Sequence, residues 1–165
     1  MIRIGFHTVP VMNPDEKSVL NVNYGGKLIF NGDAHIGKGT KIVVHKGAII
    51  ELGDNFAVSA SSQFNCYKYI KIGKEVQFSW DCLVMDNDTH EIISEDGYVY
   101  NAPSDIIIDD KVLVFCRTII LKGTHIPHNT VIGAQSLVSG KNFEQNSLIA
   151  GNPAKIIKKI QGWNI

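Results

Sequence analysis

Residues 107–140 read IIDDKVLVFCRTIILKGTHIPHNTVIGAQSLVSG, and an apolar residue stands at every sixth position of this stretch. A period of six matches neither a helix, which has 3.6 residues per turn, nor a long alternating strand. The positions are Ile108, Val114, Ile120, Ile126, Ile132 and Val138. The same spacing recurs upstream, with two shifts of register, at Phe30, Ile36, Ile42, Ala48, Leu52, Val58, Phe64, Ile72, Phe78 and Val84.

A second regularity accompanies these apolar positions. Many are followed after four places by a small residue, and some are followed directly by Gly. The small residues are Ala34, Thr40, Ser62, Cys82, Thr118, Thr124, Thr130 and Ser136, and the glycines are Gly37, Gly53, Gly73 and Gly133. The pattern predicts a chain that turns a corner every six residues, three corners to a coil, and stacks short parallel strands about 4.8 Å apart. The alternative, a sandwich of short strands, requires turns about every 10 residues.

Composition limits the class of protein. The chain has 165 residues and 44% hydrophobic content, which suits a single domain with one core. Sixteen Lys and Arg balance 16 Asp and Glu, so the net charge does not favour nucleic acid as a partner. The N-terminal sequence lacks the apolar core of a signal peptide, and no apolar run approaches the ~20 residues of a membrane span. We therefore expect a cytoplasmic protein without an integral membrane segment.

The hexad pattern also sets the expected organisation of the chain. Coils should occupy residues 30–142, and a C-terminal tail with a short helical segment should occupy residues 143–165. The first 29 residues show no hexad frame and contain Pro10, Pro14 and a pair of glycines. We expect this segment to cap the open upstream end of the coil, where a sheet edge would otherwise recruit other chains.

A protruding loop is predicted at residues 85–107. The hexad frame continues across it, because Val84 and Ile108 are 24 residues, or four hexads, apart. The inward positions between them would then be His90, Asp96 and Ala102. Burying two ionisable groups in an apolar interior costs several kcal/mol each, so the chain must leave the coil. Loops of about 20 residues are usually functional or disordered.

The stretch 107–140, followed by GNPAKIIK, resembles the hexapeptide-repeat acyltransferases, and among them the O-acetyltransferases of sugars and polysaccharides. The likeness covers roughly residues 30–158, and GNPAK is its most specific element. The resemblance implies a left-handed parallel β-helix, acetyl-CoA as the donor, and a sugar hydroxyl of a surface polysaccharide or its precursor as the acceptor.

One histidine of the loop is a candidate catalytic base. The loop opens with DNDTHEI, which places Asp86 and Asp88 shortly before His90. The resemblance implies that His90 takes the proton of the acceptor hydroxyl, a task that suits an imidazole at neutral pH. Asp86 or Asp88 could fix its tautomer by bonding the other ring nitrogen. The alternative is a solvated loop histidine flanked by aspartates that shape turns.

The resemblance also implies where the acetyl donor binds. The backbone N–H of Cys116 would face the thioester carbonyl, and Ala134 and Ser139 would line the pantetheine arm. Lys155 and Lys158 would hold the nucleotide phosphates, for which exposed positive charge suffices.

Two departures from the family pattern affect this site. Phe115 stands where the family usually has Gly, and Ser139, Gly140 and Lys141 replace a Thr-Lys pair. The lysine is therefore shifted by one position, and we include Lys141 in the cofactor site.

Other chemistries fit less well. The sequence contains no GxSxG motif, and Cys116 has no base beside it, so direct transfer is favoured over an acyl-enzyme. His90, His125 and His128 suggest the zinc site of the related γ-type carbonic anhydrases, but their spacing does not match that family. We expect no metal.

A homotrimer with active sites between subunits is expected. A flat wall of a triangular prism offers no cleft that excludes water, whereas three packed prisms create grooves. The family implied by the resemblance assembles in this way. Two further functions stay open: an N-acetyltransferase of nucleotide-linked amino sugars, and a non-catalytic β-helix with a structural role.

Overall fold

The computed structural model describes residues 1–6, 13 and 15–164, and their regular structure is entirely β-strand. Successive strands enter three sheets in turn, and within each sheet the strands of consecutive turns pair in parallel. The chain therefore winds as a coil with a triangular cross-section. The predicted fold class, an all-β, left-handed parallel β-helix with a protruding loop, is confirmed.

The three sheets form walls that we call A, B and C. Wall A contains β1 (Ile2–Phe6), β4 (Ala34–Gly37), β7 (Phe56–Ala60), β10 (Gln77–Trp80), β13 (Leu113–Val114), β16 (Val131–Ile132), β18 (Ser147–Gly151) and β19 (Ala154–Lys159). Wall B contains β2 (Val19–Val22), β5 (Lys41–Val44), β8 (Gln63–Cys66), β11 (Leu83–Met85), β14 (Ile119–Leu121) and β17 (Leu137–Val138). Wall C contains β3 (Lys27–Phe30), β6 (Ile49–Leu52), β9 (Tyr69–Ile72), β12 (Ile106–Ile108) and β15 (His125–Ile126).

The apolar positions of the hexad frame lie in the core. Each of them from Ile36 to Val138 is buried, and Phe30, in the first turn, is half-buried. The small residues that follow them are buried as well. Close packing of the corners explains the glycines: a Cβ at Gly37 would lie 1.6 Å from the backbone oxygen of Ser59, and one at Gly53 would lie 2.4 Å from the backbone of Gly73. No side chain fits in these positions.

The coil starts earlier than the sequence predicts. β1, β2 and β3 pair in parallel with β4, β5 and β6 and form the first turn, so the strands before residue 30 already belong to the coil. The hexad frame does not reveal this turn because the position six residues before Phe30 is Tyr24, which is 89% exposed between β2 and β3. Residues 7–12 and 14, which include Pro10 and Pro14, lie outside the described residues.

The expected helical segment in the C-terminal tail is wrong. Residues 154–159 form β19, which runs antiparallel to β18 on the free edge of wall A. The last strand of a sheet has unpaired backbone groups, and a returning strand satisfies them where a helix would not. Phe143 and Ala154 pack against the core at this end of the coil. Within the described residues, no helix has the length and apolarity to span a membrane.

Candidate active site

The loop of residues 86–105 leaves the coil between β11 and β12, at the edge where wall B passes into wall C. We call this corner the B/C edge, and the corner between walls A and B the A/B edge. His90, Asp96 and Ala102 are exposed, as the burial argument predicts. The loop therefore carries His90 outside the core, next to one edge of the prism.

Asp86 is a buried carboxylate at the root of the loop. It accepts hydrogen bonds from three consecutive backbone N–H groups, those of Tyr67 (2.7 Å), Lys68 (2.7 Å) and Tyr69 (2.9 Å). These groups turn the corner of the preceding coil, so Asp86 ties the loop root to that corner. Both oxygens of the Asp86 carboxylate accept hydrogen bonds from this backbone. Asp86 therefore bonds to the backbone of this corner and not to His90.

Asp88 is tied to the coil below. Its carboxylate accepts a hydrogen bond from Asn101 (2.8 Å) and forms an ion pair with Lys122. Hydrogen bonds from Lys122 and then Asn101 lower the pKa of Asp88. Asn101, itself buried, also donates to the backbone oxygen of His90 (2.9 Å) and accepts from the N–H of Ile92 (2.7 Å). Asp88, Asn101 and Lys122 together fix the backbone on both sides of His90.

The ring of His90 lines a pocket of about 190 Å³ at the base of the loop. Within the described part of the chain, no side chain bonds to this ring, so neither Asp86 nor Asp88 fixes its tautomer in this structure. The pocket is lined by Tyr67, Asn87, Asp88, Thr89, His90, Glu91, Val99, Asn101, Ala102 and Pro103.

Cys116 lies at the A/B edge, on the corner between β13 and β14. Its backbone oxygen accepts a hydrogen bond from the N–H of Gln135 (3.0 Å), while the N–H of Phe115 donates to Ile132 (2.9 Å). The N–H of Cys116 has no backbone partner among the described residues. A backbone N–H without such a partner can donate to a ligand. Phe115 is 43% exposed beside it.

The A/B edge continues below Cys116. The next corner contains Ala134, between β16 and β17, and the one after it is the GNPAK turn between β18 and β19. The N–H of Gly151 donates to Ser136 Oγ (3.1 Å). A Cβ at Gly133 would lie 2.8 Å from that of Ala150. Cys116, Ala134 and the GNPAK turn therefore lie on consecutive corners along one edge.

Three of the remaining predicted cofactor residues come together at the C-terminal end of the coil. Ser139, Lys141 and Lys155 line one pocket of about 340 Å³. Lys158 is exposed on β19, opposite Leu148, and does not line it. Two lysines thus make this pocket positive, whereas Lys158 lies apart from it.

His90 and Cys116 are on opposite sides of wall B. β11 and β14, the strands between the two edges at this level, are each three residues long, which corresponds to about 10 Å. Reacting atoms must approach to about 3–3.5 Å. The predicted base and the N–H of Cys116 therefore lie at separate places on one chain, and one chain does not unite them.

The buried thiols are poor nucleophiles. Burial raises the pKa of Cys82 to about 11, and burial together with Asp86 raises the pKa of Cys66 well above its ordinary value. Both are protonated at neutral pH, and a thiol reacts as its thiolate. No group of three His, Cys, Asp or Glu residues that could hold a metal ion occurs in the part of the chain that the structure describes. His125 instead pairs with Asp109 (3.0 Å).

Three residues of the site were not predicted from the sequence: Tyr67, Asn101 and Lys122. Lys122 could have been found, because the register pairs Met85 with Leu121 and so puts Lys122 directly below the loop root. Asn101 and Tyr67 carry no such signal. Asn101 lies on the returning arm of an irregular loop, and Tyr67 is one of several aromatic residues on outward positions.

Comparisons with known proteins give a consistent picture. No family model matches this chain. WbbJ of Escherichia coli strain K12, assigned to O-acetyl transfer in lipopolysaccharide biosynthesis, is 27% identical over 143 residues, which cover 81% of this chain and 72% of WbbJ. The solved structure of the polySia-specific acetyltransferase NeuO matches with a TM-score of 0.69 and 28% identity, over 85% of this chain and 68% of NeuO.

A further solved structure has the same fold. A galactoside acetyltransferase in complex with coenzyme A matches with a TM-score of 0.65 and 21% identity, over 82% of this chain and 65% of that chain. The likeness extends over most of the coil in each case.

Proposed function

We propose that this chain is a hexapeptide-repeat acetyltransferase that moves an acetyl group from acetyl-CoA to a hydroxyl group of a sugar, within a surface polysaccharide or its precursor. Two proteins are similar to more than four fifths of this chain: WbbJ, which is assigned to O-acetyl transfer, and NeuO, a polySia-specific acetyltransferase. The observation that carries the proposal is His90, whose imidazole has no bonding partner among the described residues and which lines a pocket beside the coil.

In the proposed mechanism His90 is the general base. Its unprotonated ring nitrogen takes the proton of the acceptor hydroxyl as the hydroxyl oxygen attacks the thioester carbonyl carbon. The tetrahedral oxyanion accepts a hydrogen bond from the N–H of Cys116, which has no backbone partner among the described residues. Collapse breaks the carbon–sulfur bond, and the coenzyme A thiolate takes the proton back from the imidazolium. The products are the acetyl ester and coenzyme A.

Asp86 and Asp88 are positioning residues in this account. Asp86 holds the loop root against the corner at residues 67–69, and Asp88 holds the following backbone through Asn101 and Lys122. Ordered backbone on both sides limits where the His90 ring can go, which preserves a reactive geometry.

The donor lies along the A/B edge in this proposal. Its acyl end reaches Cys116, its pantetheine arm follows Ala134, and its nucleotide reaches the C-terminal end of the coil. Lys141 and Lys155, which line the pocket there with Ser139, supply positive charge for the phosphates. Lys158, exposed on β19, adds charge at longer range.

We further propose that the enzyme is a homotrimer whose active sites lie between subunits. Wall B separates His90 from Cys116 in one chain, so a complete site needs the B/C edge of one subunit against the A/B edge of another. The pocket at His90, about 190 Å³, is also below the usual 300–1,000 Å³ of ligand sites. A neighbouring wall would enlarge and cover it.

The reaction class is tested with acetyl-CoA and matched acceptors. Release of the coenzyme A thiol is followed with methyl glucoside, which offers hydroxyl groups, and with glucosamine, which offers an amine. An O-acetylated sugar, identified by its mass and by loss of the acetyl group under mild alkaline treatment, supports the proposal. Alkali-stable acetyl on the amine would favour an N-acetyltransferase, and no coenzyme A binding at all would favour a non-catalytic protein.

A further inference from the structure

We propose that the ring of Tyr67 is the platform on which the acceptor sugar lies, and that the pocket around it selects a neutral sugar over an acidic one. This inference rests on the proposed function, because it takes the pocket that holds His90 as the acceptor site.

Tyr67 is fixed in position next to His90. Both residues line the same pocket, and Tyr67 is 37% exposed. The N–H of Tyr67 donates to Asp86 (2.7 Å), the first residue of the loop that carries His90. One buried carboxylate thus connects the backbone of the aromatic residue to the loop of the base. An aromatic side chain needs only two torsions fixed, so it presents a large surface at low entropic cost.

A second ring braces Tyr67 from behind. His45 stacks on it with ring centroids 3.7 Å apart and an interplanar angle of 25°. His45 is in turn bonded through Nε2 to Asn65 Oδ1 (3.0 Å), and the backbone oxygen of Asn65 accepts a hydrogen bond from Asn87 (3.2 Å). His45 does not line the pocket, so it covers the face of the Tyr67 ring that is turned away. The ring is pre-organised, which reduces the entropy lost on binding.

The pocket combines this apolar surface with hydrogen-bond acceptors. The carboxylates of Asp88 and Glu91 line it, and no Lys or Arg is found among its lining residues. Lys122 balances the charge of Asp88, whereas Glu91 has no ion-pair partner within the described ranges. Carboxylates accept hydrogen bonds from sugar hydroxyls. A carboxylate on the ligand would instead meet like charge in a partly desolvated site, which disfavours it.

Selectivity is tested by binding, which does not depend on turnover. p-Nitrophenyl glucoside and p-nitrophenyl glucuronide differ only in the carboxylate at C6, and saturation-transfer NMR gives a Kd for each. We expect the glucoside to bind at least tenfold more tightly, and Glu91→Gln to reduce this ratio several-fold. Equal or tighter binding of the glucuronide, or no binding of the glucoside, would overturn the proposed selectivity.

The platform is tested by kinetics on the neutral acceptor. Tyr67→Ala should raise the acceptor KM about tenfold while kcat and the KM for acetyl-CoA stay near the wild-type values. Tyr67→Phe, which keeps the ring, should behave like the wild type. Tyr24→Ala removes a tyrosine that is 89% exposed two turns earlier on the B/C edge and serves as the matched control. An unchanged acceptor KM in Tyr67→Ala would refute the platform.

The Tyr67 platform and the His90 mechanism can be refuted independently of each other. If Tyr67→Ala leaves the acceptor KM unchanged while His90→Ala abolishes transfer, the acetyltransferase mechanism is supported and the platform is refuted. If His90→Ala keeps its activity, the proposed mechanism itself is wrong, whatever Tyr67 does.

Discussion

The side-chain amide of Asn101 donates a hydrogen bond to the backbone oxygen of His90 at 2.9 Å. The two residues are eleven positions apart, on opposite arms of the protruding loop. The same amide group also bonds Asp88, and the Asn101 oxygen accepts from Ile92. Asn101 therefore closes the loop around the residue that we assign as the base, and its role can be tested without touching His90.

Asn101→Ala should lower kcat at least tenfold, because it removes three hydrogen bonds that fix the backbone near His90. Each lost buried bond costs about 1–3 kcal/mol, so the melting temperature should fall as well, and kcat is compared at a temperature where both proteins are folded. Acetyl-CoA affinity should not change. Asn31→Ala, an exposed asparagine on the coil, is the control. If steady-state kinetics show a kcat close to the wild-type value, the hydrogen bonds of Asn101 are not needed to position His90.

Asp86→Asn should destabilise the fold more than Asp88→Asn does. An amide offers one acceptor oxygen where the Asp86 carboxylate serves three backbone N–H groups, so buried donors lose partners and the free energy of unfolding drops by about 1–3 kcal/mol. The partly exposed Asp88 pair contributes less than about 1 kcal/mol. Urea unfolding measures both, with Asp96→Asn on the exposed part of the loop as control. The reverse order would contradict the assigned roles.

The contribution of Asp88 to stability should be lost in acid. Its pKa is lowered in the folded protein by Lys122 and Asn101, so the pair stabilises the fold fully above the unfolded value of ~3.9. That contribution disappears as the pH falls through the lower folded pKa. The difference in unfolding free energy between wild type and Asp88→Asn, measured across this range, should therefore shrink toward low pH. A difference that grows in acid has the wrong sign for this ion pair.

Mixed trimers test whether sites are shared between subunits. His90→Ala removes the proposed base at the B/C edge. Cys116→Pro removes the backbone N–H at the A/B edge, and it breaks no backbone hydrogen bond among the described residues. Each variant alone should be inactive. Subunit exchange between them should restore part of the activity, because some interfaces then combine two intact edges. No recovery despite demonstrated exchange, or a monomer in sedimentation, would rule out shared sites.

The sequence predicts the core well because one period controls it. Every hexad position from Ile36 to Val138 is buried, so this one spacing locates a large part of the core. The tail could not be predicted in this way, because the apolar pair Ile156 and Ile157 suits a helix or a strand equally. The segment forms a strand because it pairs with the free edge of β18. The partners of Asp86 are also hidden, because residues 67–69 approach it only through the stacking of coils.

His90→Ala measures the central claim most directly. Loss of a general base should lower the rate of acetyl transfer by about 10²- to 10⁴-fold, while the melting temperature and coenzyme A affinity stay close to wild type, because the ring is exposed and unpaired within the described residues. His125→Ala, which removes a histidine paired with Asp109 on wall C, controls for loss of an imidazole and should remain active. Transfer by His90→Ala within a few-fold of the wild-type rate would contradict the mechanism.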